Sequence, residues 1–174
     1  LDLAFDFEWT NKTLFYNLYK RTNSIFANSD LAAMEKPDSV ELKLLKSLRH
    51  PIPLEVFNSP YQSPKSEGTG QNRTNLRKAS VLLKSAGWTI QNNKQLINKK
   101  GEPFTIEFLL YEASFSRIIN PYIRNLKRLG ISATVRVIDV ANFQNRLNVY
   151  DYDVIIQRYV QPNTPGIEQK TYFS

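Results

Sequence analysis

The sequence has no cysteine, a single histidine and a single methionine. Without cysteine the protein can form no disulfide, no thiolate metal site and no cysteine nucleophile. The histidine, His50, stands between Arg49 and Pro51 where a predicted helix ends. That position is typical of a charge that stabilises a helix dipole rather than of a catalyst. No apolar run approaches the roughly 20 residues that a membrane-spanning helix needs.

Sequence motifs of catalysis are also missing. There is no Gly-x-Ser-x-Gly elbow and no His-Glu-x-x-His, and Gly68-Thr-Gly70 is not followed by the lysine of a phosphate-binding loop. Among the acids, Asp139, Asp151 and Asp153 stand near predicted strand ends, where paired carboxylates could do acid–base work. Asp139 fits better as a helix cap, and the other two fit a turn. The sequence therefore predicts a protein that is not an enzyme and holds neither metal nor cofactor.

The net charge of +7 raises the hypothesis of nucleic-acid binding. The basic side chains, however, are spread over three predicted helices, each opposite an apolar stripe, which is typical of solvated helix faces. Acidic residues are interspersed among them, whereas a nucleic-acid-binding face would be contiguous and basic. We therefore expect no nucleic-acid partner, and a basic nucleic-acid-binding domain remains the alternative hypothesis.

The last third of the chain alternates strand and helix patterns. Strands rich in β-forming residues are predicted over residues 104–111, 131–138 and 153–159. The helix between the first two is predicted to be capped by Ser114 and to end at Gly130, and a shorter helix follows Asp139. This βαβαβ order requires a parallel sheet, so the sequence predicts an α/β fold.

Other predicted elements surround this core. Helices are predicted over residues 10–19, 38–50 and 72–86, with Thr10 and Asp38 as caps, and a hairpin over residues 88–98. Residues 50–72 form a long irregular segment that contains prolines and glycines, and such segments are usually functional or cover another part of the protein. We expect residues 1–174 to form a single lobe that is a fragment of a longer protein.

Polar and aromatic residues at the carboxyl ends of the predicted strands form the predicted ligand site, because parallel sheets bind their ligands there. Arg158 interrupts the third strand where a cleft would open, and its guanidinium can bind a carboxylate or peptide carbonyls. Gly166 would let a ligand approach the backbone. An internal ion pair of Arg158 with Glu168 or Glu112 is the alternative. The predicted ligand-binding residues are Tyr111, Phe115, Gln157, Arg158, Tyr159, Thr164, Gly166 and Glu168.

Short motifs in a characteristic order add a family resemblance that covers almost the whole chain. They include Ala4-Phe-Asp-Phe-Glu-Trp-Thr-Asn11, Arg21-Thr-Asn-Ser24, Phe26-Ala-Asn-Ser29, Leu82-Leu-Lys-Ser-Ala-Gly-Trp88, Asn125-Leu-Lys-Arg-Leu-Gly-Ile131 and Gln157-Arg-Tyr159. Together they resemble the family 5 extracellular solute-binding proteins, the peptide-binding components of bacterial ABC importers. The Yej-type oligopeptide-binding subgroup is the part of that family that the chain resembles most.

The resemblance implies a type II periplasmic-binding-protein-like lobe, with a βαβαβ core, a hairpin and surrounding helices. Such a lobe would close with the other lobe of the same parent chain over a peptide, in the periplasm of a Gram-negative bacterium. It would deliver the peptide to an ABC permease in the inner membrane. Many relatives hold the peptide amino terminus with an aspartate in a Trp-x-x-Asp stretch, where this chain has Tyr159-Val-Gln-Pro162. Glu168 or backbone carbonyls would replace that contact.

Overall fold

A computed structural model describes residues 1–91, 93–160 and 162–173, the last of these without its side chain. The chain divides into two compact units. Unit 1 consists of Leu1–Tyr19 and Pro64–Gln157, and unit 2 of Lys20–Ser63 and Arg158–Ser174. Most of unit 2 is thus inserted between the two parts of unit 1. The single lobe over residues 1–174 stays a prediction.

The described residues form seven α-helices and five strands. The helices are α1 (Phe7–Leu14), α2 (Ser39–Ser47), α3 (Glu55–Asn58), α4 (Arg73–Ser85), α5 (Ser116–Arg128), α6 (Val140–Asn148) and α7 (Glu168–Phe173). The strands are β1 (Thr89–Ile90), β2 (Leu96–Ile97), β3 (Thr105–Leu110), β4 (Ser132–Val137) and β5 (Val154–Ile155). In the described part of the chain, no helix has both the length and the apolar character that crossing a membrane requires.

Unit 1 is built on a parallel sheet with the strand order β4-β3-β5. β3 pairs with β4 along its whole length, and with β5 through the pairs Phe108–Val154 and Leu109–Ile155. The predicted βαβαβ core is therefore confirmed. The third strand is shorter than the predicted 153–159, because Gln157 is exposed and is the last residue of unit 1, so the chain leaves the sheet there.

The two faces of β3 are both covered. Alternate residues of β3 belong to the main core cluster, which also contains the apolar stripe of α5. Leu109 and Phe143, which lies on α6, are buried outside that cluster. Since crossovers between parallel strands are right-handed, α5 and α6 lie on opposite faces of the sheet. The main cluster includes Ile106, Phe108, Leu110, Ile119, Ile123 and Leu126.

Helix α5 begins differently from the prediction. A 3-10 turn over Ala113–Phe115 runs directly into it, and no side chain caps it. Ser114 lies inside that turn, where Phe115 N donates to Glu112 O at 3.2 Å, so the proposed serine cap is wrong. The predicted end of α5 at Gly130 is confirmed. A Cβ on that glycine would lie 2.9 Å from the backbone of Leu96 in the predicted hairpin, which is also confirmed as β1 paired with β2.

Helix α1 starts earlier than predicted. Its cap is Asp6, whose carboxylate accepts from Trp9 N at 3.1 Å, whereas Thr10 lies inside the helix and donates to Asp6 O at 2.8 Å. The helix ends at Leu14, before Tyr16 and Asn17, both of which have positive φ angles. The sequence prediction of a helix over residues 10–19 was therefore shifted, because aspartate and threonine are both good caps.

Two carboxylates at the start of α1 hold a distant loop in place. Asp6 is only 4% exposed and accepts from Gly70 N at 3.1 Å and from the hydroxyl of Ser66. Glu8 accepts from Ser66 N at 2.9 Å. Buried carboxylates need hydrogen bonds, and Asp6 and Glu8 form theirs with residues 66 and 70. The two acids therefore stabilise the fold of unit 1.

Unit 2 contains the helix that Asp38 was predicted to cap. Asp38 accepts from the backbone of Val40 and Glu41, and Glu41 accepts in return from Asp38 N, so this cap is confirmed. The helix ends at Ser47, and its apolar residues Val40 and Leu44 are exposed. In residues 50–72, all of which the structure describes, α3 is the one helix.

Replacing Leu126 with alanine should destabilise unit 1. The side chain is fully buried between α5 and the sheet, so Leu126→Ala should cost about 3 kcal/mol of unfolding free energy. Val81→Ala, at a position on α4 that is 67% exposed, is the control and should change it by less than about 0.5 kcal/mol. Urea unfolding measures both, and equal effects would contradict the described core.

Candidate functional site

Unit 2 contains a cavity of about 530 Å³ whose walls come from two stretches of chain. One stretch runs from Thr22 to Ser29 and includes the half-buried Phe26. The other stretch contributes Tyr159, Pro162 and Asn163. Pockets for small ligands have volumes of roughly 300–1,000 Å³, so this cavity has the size of a ligand site.

The loop that forms the first wall is anchored at its start by Asn23. The carboxamide of Asn23 accepts from Ser63 N at 2.9 Å and donates to the side chain of Gln62 at 3.2 Å. The hydroxyl of Ser63 donates to Thr22 O at 3.2 Å. An irregular loop lacks the regular backbone hydrogen bonds of a helix or strand. These side-chain hydrogen bonds stabilise the loop instead.

Two serine hydroxyls hold the rest of the loop. Ser24 Oγ accepts from Ala33 N at 3.1 Å. Ser29 Oγ donates to Phe26 O at 3.1 Å and accepts from Leu31 N at 3.2 Å. Because these hydroxyls are engaged with the backbone, they shape the wall and are not set up as nucleophiles.

The groups that remain for a ligand are neutral. Thr22 contributes a hydroxyl, and Asn28 and Asn163 contribute carboxamides that have no hydrogen-bond partner within the described part of the chain. Apart from the phenol of Tyr159, the described lining residues carry no ionisable group. Carboxamides and hydroxyls donate and accept hydrogen bonds, and Phe26 adds apolar surface. The cavity can therefore bind an uncharged polar ligand that also has apolar parts.

Tyr159 is the predicted site residue that lines this cavity. Its side chain is 54% exposed, and its ring meets that of Tyr172 on α7 edge to face, with centroids 4.9 Å apart. Edge-to-face pairs are favourable, so α7 helps to hold the tyrosine in place. Part of the ring therefore stays available on the cavity side.

Gly166 and Glu168 interact with each other at the start of α7. The carboxylate of Glu168 accepts from Gly166 N at 2.6 Å and from the Gln169 amide at 3.2 Å. These two hydrogen bonds lower the pKa of Glu168 below its ordinary value. A Cβ on Gly166 would lie 2.5 Å from Glu168 Oε2, the far end of a flexible side chain that can move aside. The ligand-binding role of both residues stays a prediction, as does that of the exposed Arg158 and Thr164.

The other predicted residues lie in unit 1, at the carboxyl edge of the parallel sheet. The order β4-β3-β5 makes the gap between β3 and β5 the switch point, where open α/β sheets bind ligands. Tyr111 follows β3 and packs its ring on Phe143 with centroids 4.9 Å apart, and the exposed Gln157 follows β5. Phe115 is half-buried against the core.

Asp139 stands at the same edge and caps α6, as the sequence predicted. Its carboxylate accepts from Asn142 N at 3.0 Å and from the Asn142 side chain at 2.6 Å. These hydrogen bonds lower the pKa of Asp139. Asp139 therefore stabilises the start of α6, and these contacts do not indicate a catalytic acid or base.

The structure thus brings the predicted residues into two groups, one in each unit. Sequence reasoning missed the wall formed by Thr22–Ser29, although the motifs Arg21–Ser24 and Phe26–Ser29 were part of the family resemblance. The available signal was a cluster of small polar residues beside a phenylalanine, with neither helical nor strand periodicity. Such a pattern indicates a loop but does not say what the loop encloses.

Comparison with known proteins gives a consistent result. Residues 1–169 match the family model described as bacterial extracellular solute-binding proteins, family 5 Middle. The chain is 43% identical to YejA of Escherichia coli over 155 residues, which are 89% of this chain and 26% of that protein. It is 37% identical to the probable peptide-binding protein YejA of Agrobacterium fabrum, over 99% of this chain and 28% of that protein. The chain therefore spans about a quarter of the length of these relatives.

A solved structure shows the same fold. The oligopeptide-binding protein AppA of Bacillus subtilis, in complex with a nonapeptide, superposes with a TM-score of 0.59 at 15% identity. The superposition covers 97% of this chain and 29% of AppA. The predicted type II periplasmic-binding-protein-like fold is confirmed by this likeness.

The cap at Asp139 should make the stability of unit 1 depend on pH. Because the pKa is lowered in the folded protein, the charged carboxylate stabilises it at neutral pH, and this contribution is lost as the pH falls below the ordinary value of 3.8 and through the folded pKa. Urea unfolding at pH 7 and pH 3 should show that Asp139→Ala lowers the midpoint more at pH 7 than at pH 3.

Asp139→Asn is the matched control. Asparagine is also a good cap but carries no charge, so its effect at pH 7 should be smaller than that of alanine. A midpoint difference between wild type and Asp139→Ala that does not change with pH would contradict the role of the charged cap.

Proposed function

The chain belongs to the bacterial extracellular solute-binding proteins of family 5, and we propose that it is part of the substrate-binding component of an ABC-type importer. Its substrates are oligopeptides or peptide-like solutes. The protein binds them without transforming them. The observation that carries this proposal is the cavity of unit 2, which has a peptide-sized volume and neutral walls.

The chemistry of the cavity suits a peptide backbone. Each peptide unit offers an uncharged N–H donor and an uncharged C=O acceptor, and carboxamides such as those of Asn28 and Asn163 can satisfy both. The rings of Phe26 and Tyr159 can contact side chains of many shapes. Binding through the backbone would accept varied sequences. The names of relatives support this choice, since one is a probable peptide-binding protein and AppA was solved with a nonapeptide.

The setting of this function follows from the same proposal. The parent protein works in the periplasm of a Gram-negative bacterium and hands its ligand to an ABC permease in the inner membrane. A second lobe of the parent chain completes the binding site by closing over the ligand. A ligand-binding role of Tyr111, Phe115 and Gln157 in unit 1 is proposed separately, from their place at the carboxyl edge of its sheet. The family assignment favours this function over the nucleic-acid-binding alternative.

The ligand can be identified from the full-length protein that contains this chain. Native mass spectrometry of the protein purified from the periplasm should release peptides, and calorimetry with synthetic copies then gives their affinity. The proposal would be contradicted if the purified protein released no peptide, whether it released nucleic acid or nothing, and also bound no member of a mixed peptide library.

Tyr159→Ala should weaken binding of such a peptide about tenfold, a loss of about 1.4 kcal/mol, because the exposed face of the ring is removed from the cavity. The control is Tyr150→Ala, which removes a tyrosine that is 78% exposed in unit 1 and does not line the cavity. Unchanged affinity in Tyr159→Ala would remove this cavity from the binding site.

The isolated 174-residue chain should bind peptide far more weakly than the full-length protein. A micromolar ligand corresponds to about 8 kcal/mol of binding free energy, and half of that corresponds to a millimolar dissociation constant. If two lobes share the contacts, calorimetry should detect at most millimolar binding to the chain alone. Micromolar binding by the isolated chain would show that it needs no second lobe.

A further inference from the structure

A second cavity, of about 400 Å³, lies in unit 1 and differs in charge from the first. Three arginines line it: Arg73 and Arg77 from α4, and Arg128 from the end of α5. No acidic residue is among the described residues of its lining. Three guanidinium groups around one space repel each other unless an anion lies between them.

Arg128 is held in place by the fold. Its Nη1 donates to Gln71 O at 3.0 Å and to Asn125 Oδ1 at 3.1 Å. Asn125 is itself only 3% exposed and donates to Ala4 O at 3.0 Å, so it cannot easily turn away. A guanidinium has five N–H donors in a fixed plane, so Arg128 still presents donors in a fixed direction.

Arg73 and Arg77 stand on the same face of α4, because they are four residues apart. Neither forms an ion pair with a carboxylate in the described ranges of the chain. The nearby Glu67 accepts from the hydroxyl of Thr74 at 3.0 Å and does not line the cavity. The positive charge of this surface is therefore not neutralised by the acids that the structure describes.

The floor of the cavity is apolar. Leu76 and Leu129 line it and are 8% and 5% exposed, and Ile90 adds an aliphatic edge that is 55% exposed. A small inorganic anion would gain nothing from such a floor. A ligand that combines carboxylates with aliphatic groups would use both parts of the cavity.

We propose that this cavity, formed by Arg73, Arg77 and Arg128 over Leu76 and Leu129, docks an acidic segment of a partner protein in which glutamate or aspartate alternates with aliphatic residues. The carboxylates pair with the guanidinium groups, and an aliphatic side chain covers the floor. The volume accommodates a few side chains, which suits a short segment. The proposal is independent of the solute bound in unit 2.

The test uses the full-length protein and a synthetic peptide of alternating glutamate and leucine that carries a neutral fluorophore. Fluorescence anisotropy should show a binding component that requires Arg77 and weakens as salt is added. The counterpart with glutamine for glutamate should lack this component, whatever its binding to the solute site of the full-length protein. Arg77→Gln should weaken binding about tenfold, since it removes one charge-assisted pair. Arg73→Gln/Arg77→Gln should abolish it.

Lys78→Gln is the matched control, because Lys78 is the exposed neighbour of Arg77 on α4 but does not line the cavity. It should change the affinity less than twofold. Equal losses in Lys78→Gln and Arg77→Gln would overturn the proposal, since they would indicate a diffuse basic surface. The proposal would also be overturned if the glutamine peptide bound with the same dependence on Arg77, or if Tyr159→Ala abolished binding of the acidic peptide while the arginine variants did not weaken it.

Single-stranded RNA and phosphatidylglycerol vesicles test other occupants. Binding of either probe should depend on Arg77 no more strongly than binding of the acidic peptide does. Tighter binding of either probe than of the peptide, lost in Arg77→Gln and kept in Lys78→Gln, would overturn the choice of a protein partner.

Discussion

The pairing of β3 with a parallel strand on each side determines how unit 1 is built. β3 hydrogen-bonds to β4 and to β5, and buries Phe108 and Leu109 on its two faces. A strand in this position needs a helix on each face, which α5 and α6 provide. The same arrangement carries the chain segments after β3 and β5 to one edge. Backbone pairing therefore places Tyr111 and Gln157 at the same edge of the sheet.

The sequence predicted this sheet well, because its signals are local and strong. β3 is a run of apolar β-formers, and the stripe of α5 ends at a glycine that the packing requires. Predictions failed at element ends. Thr10 was predicted to cap α1, whereas Asp6 caps it through Trp9 N and also accepts from Ser66 and Gly70 far along the chain. The serine cap of α5 was wrong because a 3-10 turn, which leaves no periodic signal, supplies the start.

For the candidate site, the sequence predicted Tyr159 from a strand pattern that becomes polar at its end. Tyr159 lines the cavity, although the strand stops at Ile155, and its ligand-binding role stays a prediction. The opposite wall, Thr22–Ser29, could not be found from periodicity, since hydrogen bonds of Asn23, Ser24 and Ser29 give it its shape. Such loops depend on partners far along the chain. From the sequence, the basic residues of each helix were taken as a separate solvated face. That interpretation missed that arginines from α4 and α5 line one cavity.

Helix α1 holds both junctions through which the chain leaves unit 1 and returns to it. Near its end, Asn11 exchanges hydrogen bonds with the backbone of Tyr19, the last residue before the excursion. At its start, Asp6 and Glu8 hold Ser66, just after the chain re-enters. None of these hydrogen bonds involves residues 20–63. The two points at which the insertion leaves and rejoins unit 1 are therefore held by contacts that a change of sequence within the insertion does not remove.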